Sequence, residues 1–122
     1  MAKIVLVEDE TAVREMLVDE LTVEGHEVIE AINGEDGLKA ILTNKPDLVI
    51  ADRAMAVMSG YRLLEVIREK HSELSDMPFV FMTALTDPRD KDAVEHLDPN
   101  AYIEKPVDFA KLHDLVSELI SK

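Results

Sequence analysis

The chain has 122 residues, of which 47% are hydrophobic and 32% are charged, so it is long enough for one globular domain with a single core. Its 26 acidic and 13 basic residues give a formal net charge of -13, which argues against direct binding to nucleic acid or to an anionic membrane surface. The absence of cysteine excludes disulfides, thiol nucleophiles and thiolate metal sites.

The sequence carries no recognisable targeting or membrane segment. Glu8, Asp9 and Glu10 interrupt the only early apolar run, which excludes a signal peptide there, and no apolar stretch is long enough to cross a bilayer. These absences predict a cytoplasmic location. The expected organisation is a single domain over residues 1–122, with no output domain after Lys122.

Short apolar runs alternate with helical patterns along the whole chain, which is typical of βαβ units around a parallel sheet. The predicted strands cover residues 3–7, 27–31, 47–51, 79–82 and 101–103. The runs around Ile4, Leu48 and Phe79 are almost continuously apolar, as in strands that are buried on both faces. These three strands are expected at the centre of the sheet.

The segments between the strands show helical spacing of their apolar residues. The predicted buried stripes are Val13, Leu17 and Leu21; Leu38, Ile41 and Leu42; Leu63, Leu64 and Ile67; and Leu112, Leu115, Val116, Leu119 and Ile120. Turn residues mark the helix starts at Asn33-Gly34 and Ser59-Gly60. Asp87, followed by Pro88, begins the fourth predicted helix, and Asp108 caps the fifth.

Right-handed crossovers between these elements favour a doubly wound α/β fold. We expect a flavodoxin-like (βα)5 three-layer sandwich with a parallel five-stranded sheet in the order 2-1-3-4-5. The first and third strands are then neighbours, and their carboxyl ends meet where ligands bind in such sheets.

Three carboxylates follow these two neighbouring strands: Glu8 and Asp9 after the first, and Asp52 after the third. Acids held this close repel one another unless a cation or a proton compensates, and a divalent metal is the obvious compensator. The simpler interpretation of Glu8 and Asp9 is a helix N-terminus capped by Thr11. That interpretation does not account for Asp52.

Two further polar side chains are predicted at the same edge of the sheet. Thr83 directly follows the predicted fourth strand, and Lys105 follows the fifth, directly before Pro106. Proline biases the preceding residue toward extended geometry, which fixes where the Lys105 side chain starts. A hydroxyl and an ammonium therefore join the three carboxylates.

From Lys3 to Ile120, the chain resembles the receiver domains of two-component response regulators. The matching segments are Glu8-Asp9, the pattern Asp52-x-x-Met55-x-x-Met58-x-Gly60, Thr83-Ala84, Tyr102, and Lys105-Pro106 before Val107-Asp108. Each of these motifs is weak alone, but their combination in this order at strand ends is highly specific.

The resemblance implies that Asp52 is the phosphoacceptor. It would receive a phosphoryl group from the phosphohistidine of a sensor histidine kinase or of a histidine phosphotransfer protein. Mg²⁺ or Mn²⁺ would be held by Asp9, Asp52 and the backbone carbonyl of Ala54, with Glu8 acting through water. Oxygen ligands of this kind suit Mg²⁺.

The resemblance also implies how the domain signals. Lys105 would pair with one phosphoryl oxygen and Thr83 would hydrogen-bond another, while Thr83 and Tyr102 form the switch. Phosphorylation would reshape the face built by the fourth helix, fifth strand and fifth helix, which binds a downstream protein. The domain would be a switch rather than an enzyme, with only weak self-catalysed phosphoryl transfer and autodephosphorylation.

Two positions depart from the pattern of the family. Ala56 stands where proline is usual, which removes a φ restraint from the loop after Asp52. Asp98 replaces a glycine usual at the end of the fourth helix, and it precedes Pro99, which steers Asp98 away from helical geometry. The output face is therefore expected to differ from that of typical members.

Alternative functions remain open at this stage. A small Mg²⁺-dependent phosphohydrolase that forms an aspartyl phosphate would use the same residues, although this compact chain offers little room for a substrate-binding cap. A receiver that acts without phosphorylation is disfavoured because the full chemical set is present. Flavin binding is disfavoured because the acidic loop after the first strand repels a phosphate that brings no metal.

Overall fold

The computed structural model describes residues 2–52, 58–74, 76–83 and 99–121. The elements are β1 (Lys3–Val7), α1 (Thr11–Val23), β2 (Glu27–Ala31), α2 (Gly34–Asn44), β3 (Leu48–Asp52), α3 (Gly60–Lys70), a short 3₁₀ helix (Ser72–Leu74), β4 (Phe79–Thr83), β5 (Ala101–Glu104) and the C-terminal helix (Phe109–Ile120). The predicted helix at Asp87-Pro88, together with Ala54, Met55, Ala56, Ala84 and Asp98, lies outside the described residues.

The five strands form one parallel sheet in the order β2-β1-β3-β4-β5. This confirms the predicted α/β fold and its strand order. Val7 lies beside Ala51 in the β1–β3 register, so both strands end at the same edge of the sheet. Within the described ranges, no helix combines the length and the apolar character needed to cross a membrane.

The sheet is buried on both faces because side chains alternate along each central strand. In β1, Val5 and Val7 belong to a core shared with α2 and α3, whereas Ile4 and Leu6 belong to a core shared with α1 and the C-terminal helix. All residues of β3 and β4 are buried. The continuously apolar runs in the sequence therefore arise from strands covered by helices on both sides.

Three strand ends differ by one residue from the predictions. β3 covers Leu48–Asp52 rather than 47–51, and β4 and β5 each extend one residue further, to Thr83 and Glu104. The predicted strands end too early because they were bounded by hydrophobicity alone. Polar residues at a strand end still form hydrogen bonds with the neighbouring strand. Asp52 and Thr83 are consequently the last residues of strands, where the backbone holds them firmly.

The predicted cap at Asp108 is confirmed, and the predicted helix starts at Asn33-Gly34 and Ser59-Gly60 also carry caps. The side chains of Asn33, Ser59 and Asp108 accept hydrogen bonds from backbone N–H groups three residues later. The alternative interpretation with Thr11 as a cap does not hold: Thr11 is the first residue of α1, and Glu10 occupies the cap position without a capping hydrogen bond from its side chain within the described residues.

The buried face of α2 differs from the predicted stripe. Ile41 is fully buried, but Leu42 is 37% exposed, and the face that meets the sheet also contains Gly34 and Gly37. A Cβ at Gly37 would lie 2.8 Å from Cγ2 of Val7. Glycine therefore lets α2 pack closely on β1, a contact that a hydrophobicity pattern does not register.

Candidate functional site

The three predicted carboxylates meet at the carboxyl ends of β1 and β3. The candidate ligand atoms of Glu8, Asp9 and Asp52 all lie within 4.8 Å of one another. Glu8 and Asp52 are buried, whereas Asp9 is exposed. The parallel pairing of β1 with β3 brings these acids together across 44 positions of sequence separation.

The ammonium group of Lys105 lies between two of these acids. Its Nζ donates to Glu8 Oε1 at 2.7 Å and to Asp52 Oδ2 at 2.8 Å. The Lys105 N–H donates to the Thr83 carbonyl at 2.9 Å, which fixes the backbone from which the Lys105 side chain starts. The Lys105-Pro106 peptide bond is cis. Thr83 is the buried last residue of β4, so Thr83 and Lys105 both lie at this edge of the sheet.

Burial and charge act against each other in this cluster. Burial raises the pKa of Glu8, and the nearby charge of Asp52 raises it further, although hydrogen bonds from Lys105 and from the Glu10 N–H oppose the shift. Burial by itself would lower the pKa of Lys105, but its hydrogen bonds and charge interactions with Asp52 and Glu8 outweigh burial and raise that pKa. Lys105 is therefore charged at neutral pH, whereas burial disfavours the ionised form of Glu8.

The donor set fits a hard divalent cation. Mg²⁺ and Mn²⁺ prefer oxygen ligands, and among the residues that the structure describes the pocket holds three carboxylates and one ammonium, that of Lys105. The exposed Asp9 also leaves the cluster open to solvent on one side. Ala54, whose backbone carbonyl is a predicted ligand, lies outside the described residues.

Tyr102, the predicted switch aromatic, lies in β5 with its ring turned toward the core. The ring centroids of Tyr102 and Phe81 are 6.2 Å apart and the rings are nearly parallel, at 28°. The hydroxyl oxygen of Tyr102 is buried. An edge-strand tyrosine with its hydroxyl in water, the simpler expectation for such a residue, does not describe this arrangement.

Arg14 also lies at the site and was not predicted from the sequence. Its Nη1 donates to the backbone carbonyl of Glu8 at 2.8 Å, and its Nε donates to Glu30 Oε1 at 3.2 Å. The only available signal was a basic residue in the first turns of an otherwise acidic helix. That signal did not indicate the hydrogen-bond partner of Arg14, because every residue has a backbone carbonyl and the sequence does not show which one is contacted.

Comparison with known proteins identifies the family. The model of the response regulator receiver domain matches residues 4–117. The chain is 36% identical over 109 residues to the transcriptional regulatory protein AfsQ1 of Streptomyces coelicolor, which covers 88% of this chain and 46% of that protein. The chain spans about half the length of the curated relatives it matches.

Solved structures agree in fold over nearly the full chain. The receiver domain of a signal transduction histidine kinase from Syntrophus aciditrophicus superposes with a TM-score of 0.92 at 29% identity, covering 99% of this chain and 91% of that one. The chemotaxis response regulator CheY4 of Vibrio cholerae gives a TM-score of 0.89 at 26% identity, covering 98% of both chains. The chain therefore belongs to the response regulator receiver domain family, the signalling domains of two-component systems.

Proposed function

We propose that this chain is a phosphorylation-dependent switch in which Asp52 accepts a phosphoryl group from a partner phosphohistidine. The observation that carries the proposal is the position of Lys105, whose Nζ contacts both Glu8 and Asp52. An ammonium held against one oxygen of Asp52 is placed to neutralise the charge of an incoming phosphoryl group. Membership of the receiver family supports the same role.

The proposed reaction is an in-line displacement at phosphorus. A carboxylate oxygen of Asp52 forms the new P–O bond while the P–N bond to the donor imidazole breaks, and the imidazole nitrogen keeps the electron pair. Lys105 then pairs with a phosphoryl oxygen instead of with the free carboxylate. The hydroxyl group of Thr83, at the end of the adjacent β4, donates a hydrogen bond to another phosphoryl oxygen.

Glu8, Asp9 and Asp52 are the residues that would hold Mg²⁺ or Mn²⁺, together with the carbonyl of Ala54. The bound ion would neutralise negative charge that accumulates between the phosphoryl group and the carboxylates. Glu8 accepts hydrogen bonds on both carboxylate oxygens, from Lys105 and from the Glu10 N–H. It is therefore suited to act through water, as the resemblance to the receiver family implies, whereas the exposed Asp9 can ligate the ion directly.

The proposed output follows from Thr83 and Tyr102. Movement of Thr83 toward the phosphoryl group would change the packing next to Tyr102 and bias a two-state surface. This surface comprises β5, the C-terminal helix and the predicted helix at Asp87, and it would bind a downstream protein. The donors would be a sensor histidine kinase or a histidine phosphotransfer protein, and residues 1–122 would act as one receiver domain.

A mass measurement tests this function. The protein is incubated with Mg²⁺ and a small acyl phosphate, and its intact mass is compared with that of two variants, Asp52→Asn and Asp47→Asn. These variants remove the same charge from opposite ends of one strand segment. We expect the wild type and Asp47→Asn to gain one phosphoryl group and Asp52→Asn to gain none, whereas equal gain in all three proteins would contradict the proposal.

A further inference from the structure

Arg14 reaches from the first turns of α1 to the backbone beneath the acidic pair. Its own N–H donates to Glu10 O at 2.9 Å, which fixes Arg14 in the helix. Its side chain is only 13% exposed, and its Nη1 donates to Glu8 O at 2.8 Å. A largely buried guanidinium that donates to a main-chain carbonyl is a strongly oriented group.

The contacted carbonyl belongs to the peptide that joins Glu8 to Asp9. A hydrogen bond to this carbonyl fixes the plane of that peptide, and so it constrains ψ of Glu8 and φ of Asp9. The other side of Glu8 is also held, since its N–H donates to Ala31 O at 3.0 Å. Contacts from Arg14 in α1 and Ala31 in β2 therefore fix the backbone of Glu8 and Asp9. They thereby set the direction in which the exposed Asp9 side chain leaves the backbone.

We propose that Arg14 is a positioning residue for the divalent metal site, which acts by holding the Glu8–Asp9 peptide so that Asp9 points at Asp52. The proposal deepens the proposed function and rests on it, because it concerns the same metal site. Residues that orient metal ligands through hydrogen bonds, without contacting the metal, commonly contribute tenfold or more to metal affinity.

The sign of the effect separates positioning from simple electrostatics. A guanidinium near a cation site repels the cation, so removal of its charge alone would tighten metal binding. Loss of a positioning contact would weaken it. The ion pair with Glu30 does not provide an equivalent constraint, because Glu30 is 48% exposed and exposed pairs contribute little.

The test measures Mn²⁺ affinity of the unphosphorylated protein, from the electron paramagnetic resonance signal of free Mn²⁺. The variants are Arg14→Met, which keeps the apolar stem, Arg14→Lys, which keeps a charged donor, and Glu30→Gln, which removes only the outer ion pair. We expect roughly tenfold weaker binding in Arg14→Met, substantial recovery in Arg14→Lys, and a change below about twofold in Glu30→Gln. Saturating Mg²⁺ should restore phosphorylation of Arg14→Met by an acyl phosphate to the wild-type rate.

Each outcome decides the proposal. Unchanged or tighter Mn²⁺ binding by Arg14→Met overturns it, as does Arg14→Lys binding no better than Arg14→Met. If urea unfolding shows that Arg14→Met is not folded, Arg14→Gln takes its place, and it is expected to bind more weakly than Arg14→Lys. A wild-type protein that binds no Mn²⁺ contradicts the proposed function itself, so the two failures are distinguishable.

Discussion

Glu8 combines full burial with a formal negative charge, and its neighbours only partly offset the cost of that combination. Lys105 and the Glu10 N–H donate to its carboxylate, but burial and the adjacent Asp52 still raise its pKa. Native Glu8 therefore holds a proton more strongly than the same carboxyl in the unfolded chain. As the pH falls, native Glu8 gains a proton before the unfolded chain does. The free energy of unfolding must therefore rise between the raised pKa of native Glu8 and the ordinary pKa of a glutamate.

This linkage predicts that Glu8→Gln raises the free energy of unfolding at pH 7.5 in the presence of a chelator. The neutral amide occupies the same space and removes the cost of a buried charge, and this gain is expected to exceed the loss of one of the two hydrogen bonds that the Glu8 oxygens accept. The advantage over the wild type should shrink as the pH falls and native Glu8 becomes protonated. Urea unfolding at pH 7.5 and pH 5 measures both effects, with Glu10→Gln as the exposed control, and lower stability of Glu8→Gln at pH 7.5 would contradict the explanation.

The convergence of charged residues at the strand ends could be predicted from the sequence, because their chemistry is visible in their residue type. Glu8, Asp9, Asp52 and Lys105 were predicted to converge, and the structure brings them together. The sequence did not identify Arg14, because its partner is a carbonyl in a turn whose geometry depends on the packing of α1 against the sheet.

Gly37 allows α2 to pack closely on β1, the strand that leads to Glu8 and Asp9. Gly37 contacts Val7, the last residue of β1, without an intervening side chain. Val7 is fully buried and is β-branched, so it has little freedom to rotate away. The hydrophobic pattern instead pointed to Leu42, since glycine contributes nothing to such a pattern.

Gly37→Ala is therefore expected to destabilise the protein, although alanine is the better helix former by about 1 kcal/mol. The new Cβ would lie 2.8 Å from Val7 Cγ2 and 3.3 Å from Leu63 Cδ2, and overpacking of this kind costs about 1–3 kcal/mol. We expect a net loss of about 1 kcal/mol in urea unfolding. Ser117→Ala, on the exposed face of the C-terminal helix, reports helix propensity alone and should be slightly stabilising; a more stable Gly37→Ala would show that α2 can move away.

The element boundaries show the limits of prediction from sequence at this scale. Type and order of every described strand were predicted, because alternating buried runs and helical stripes are strong signals. The ends of β3 and β4 were placed one residue early, at the polar residues Asp52 and Thr83. Polarity was taken as the end of a strand, whereas hydrogen bonding to the neighbouring strand continues through it.

Across the whole molecule, the site exists only when the chain is folded. Glu8 and Lys105 are separated by 97 positions in the sequence and meet through the order of the sheet. A ligand that needs these groups together binds the native state and not the unfolded chain. The topology could be predicted from the sequence because few arrangements satisfy right-handed crossovers. The predicted order places the first strand beside the third, so the convergence of the acids could be predicted as well.

Mg²⁺ is consequently expected to stabilise the whole domain by mass action. At a concentration of about one hundred times its Kd, the gain in unfolding free energy should be about 2.7 kcal/mol. Asp9→Asn, at an exposed position, should lose most of this gain, whereas Asp47→Asn should keep it. Urea unfolding with chelator and with Mg²⁺ measures the gain, and identical transitions of the wild type in both conditions would contradict a metal site made by these acids.

The most direct measurement of the central claim is chemical localisation of the phosphoryl group. Borohydride reduces an acyl phosphate to an alcohol, so a phosphorylated aspartate becomes homoserine. After treatment with an acyl phosphate, reduction and proteolysis, peptide mass spectrometry should find homoserine at position 52. Homoserine at position 9, the corresponding reduced residue at Glu8, or no reduced residue at all would contradict Asp52 as the phosphoacceptor.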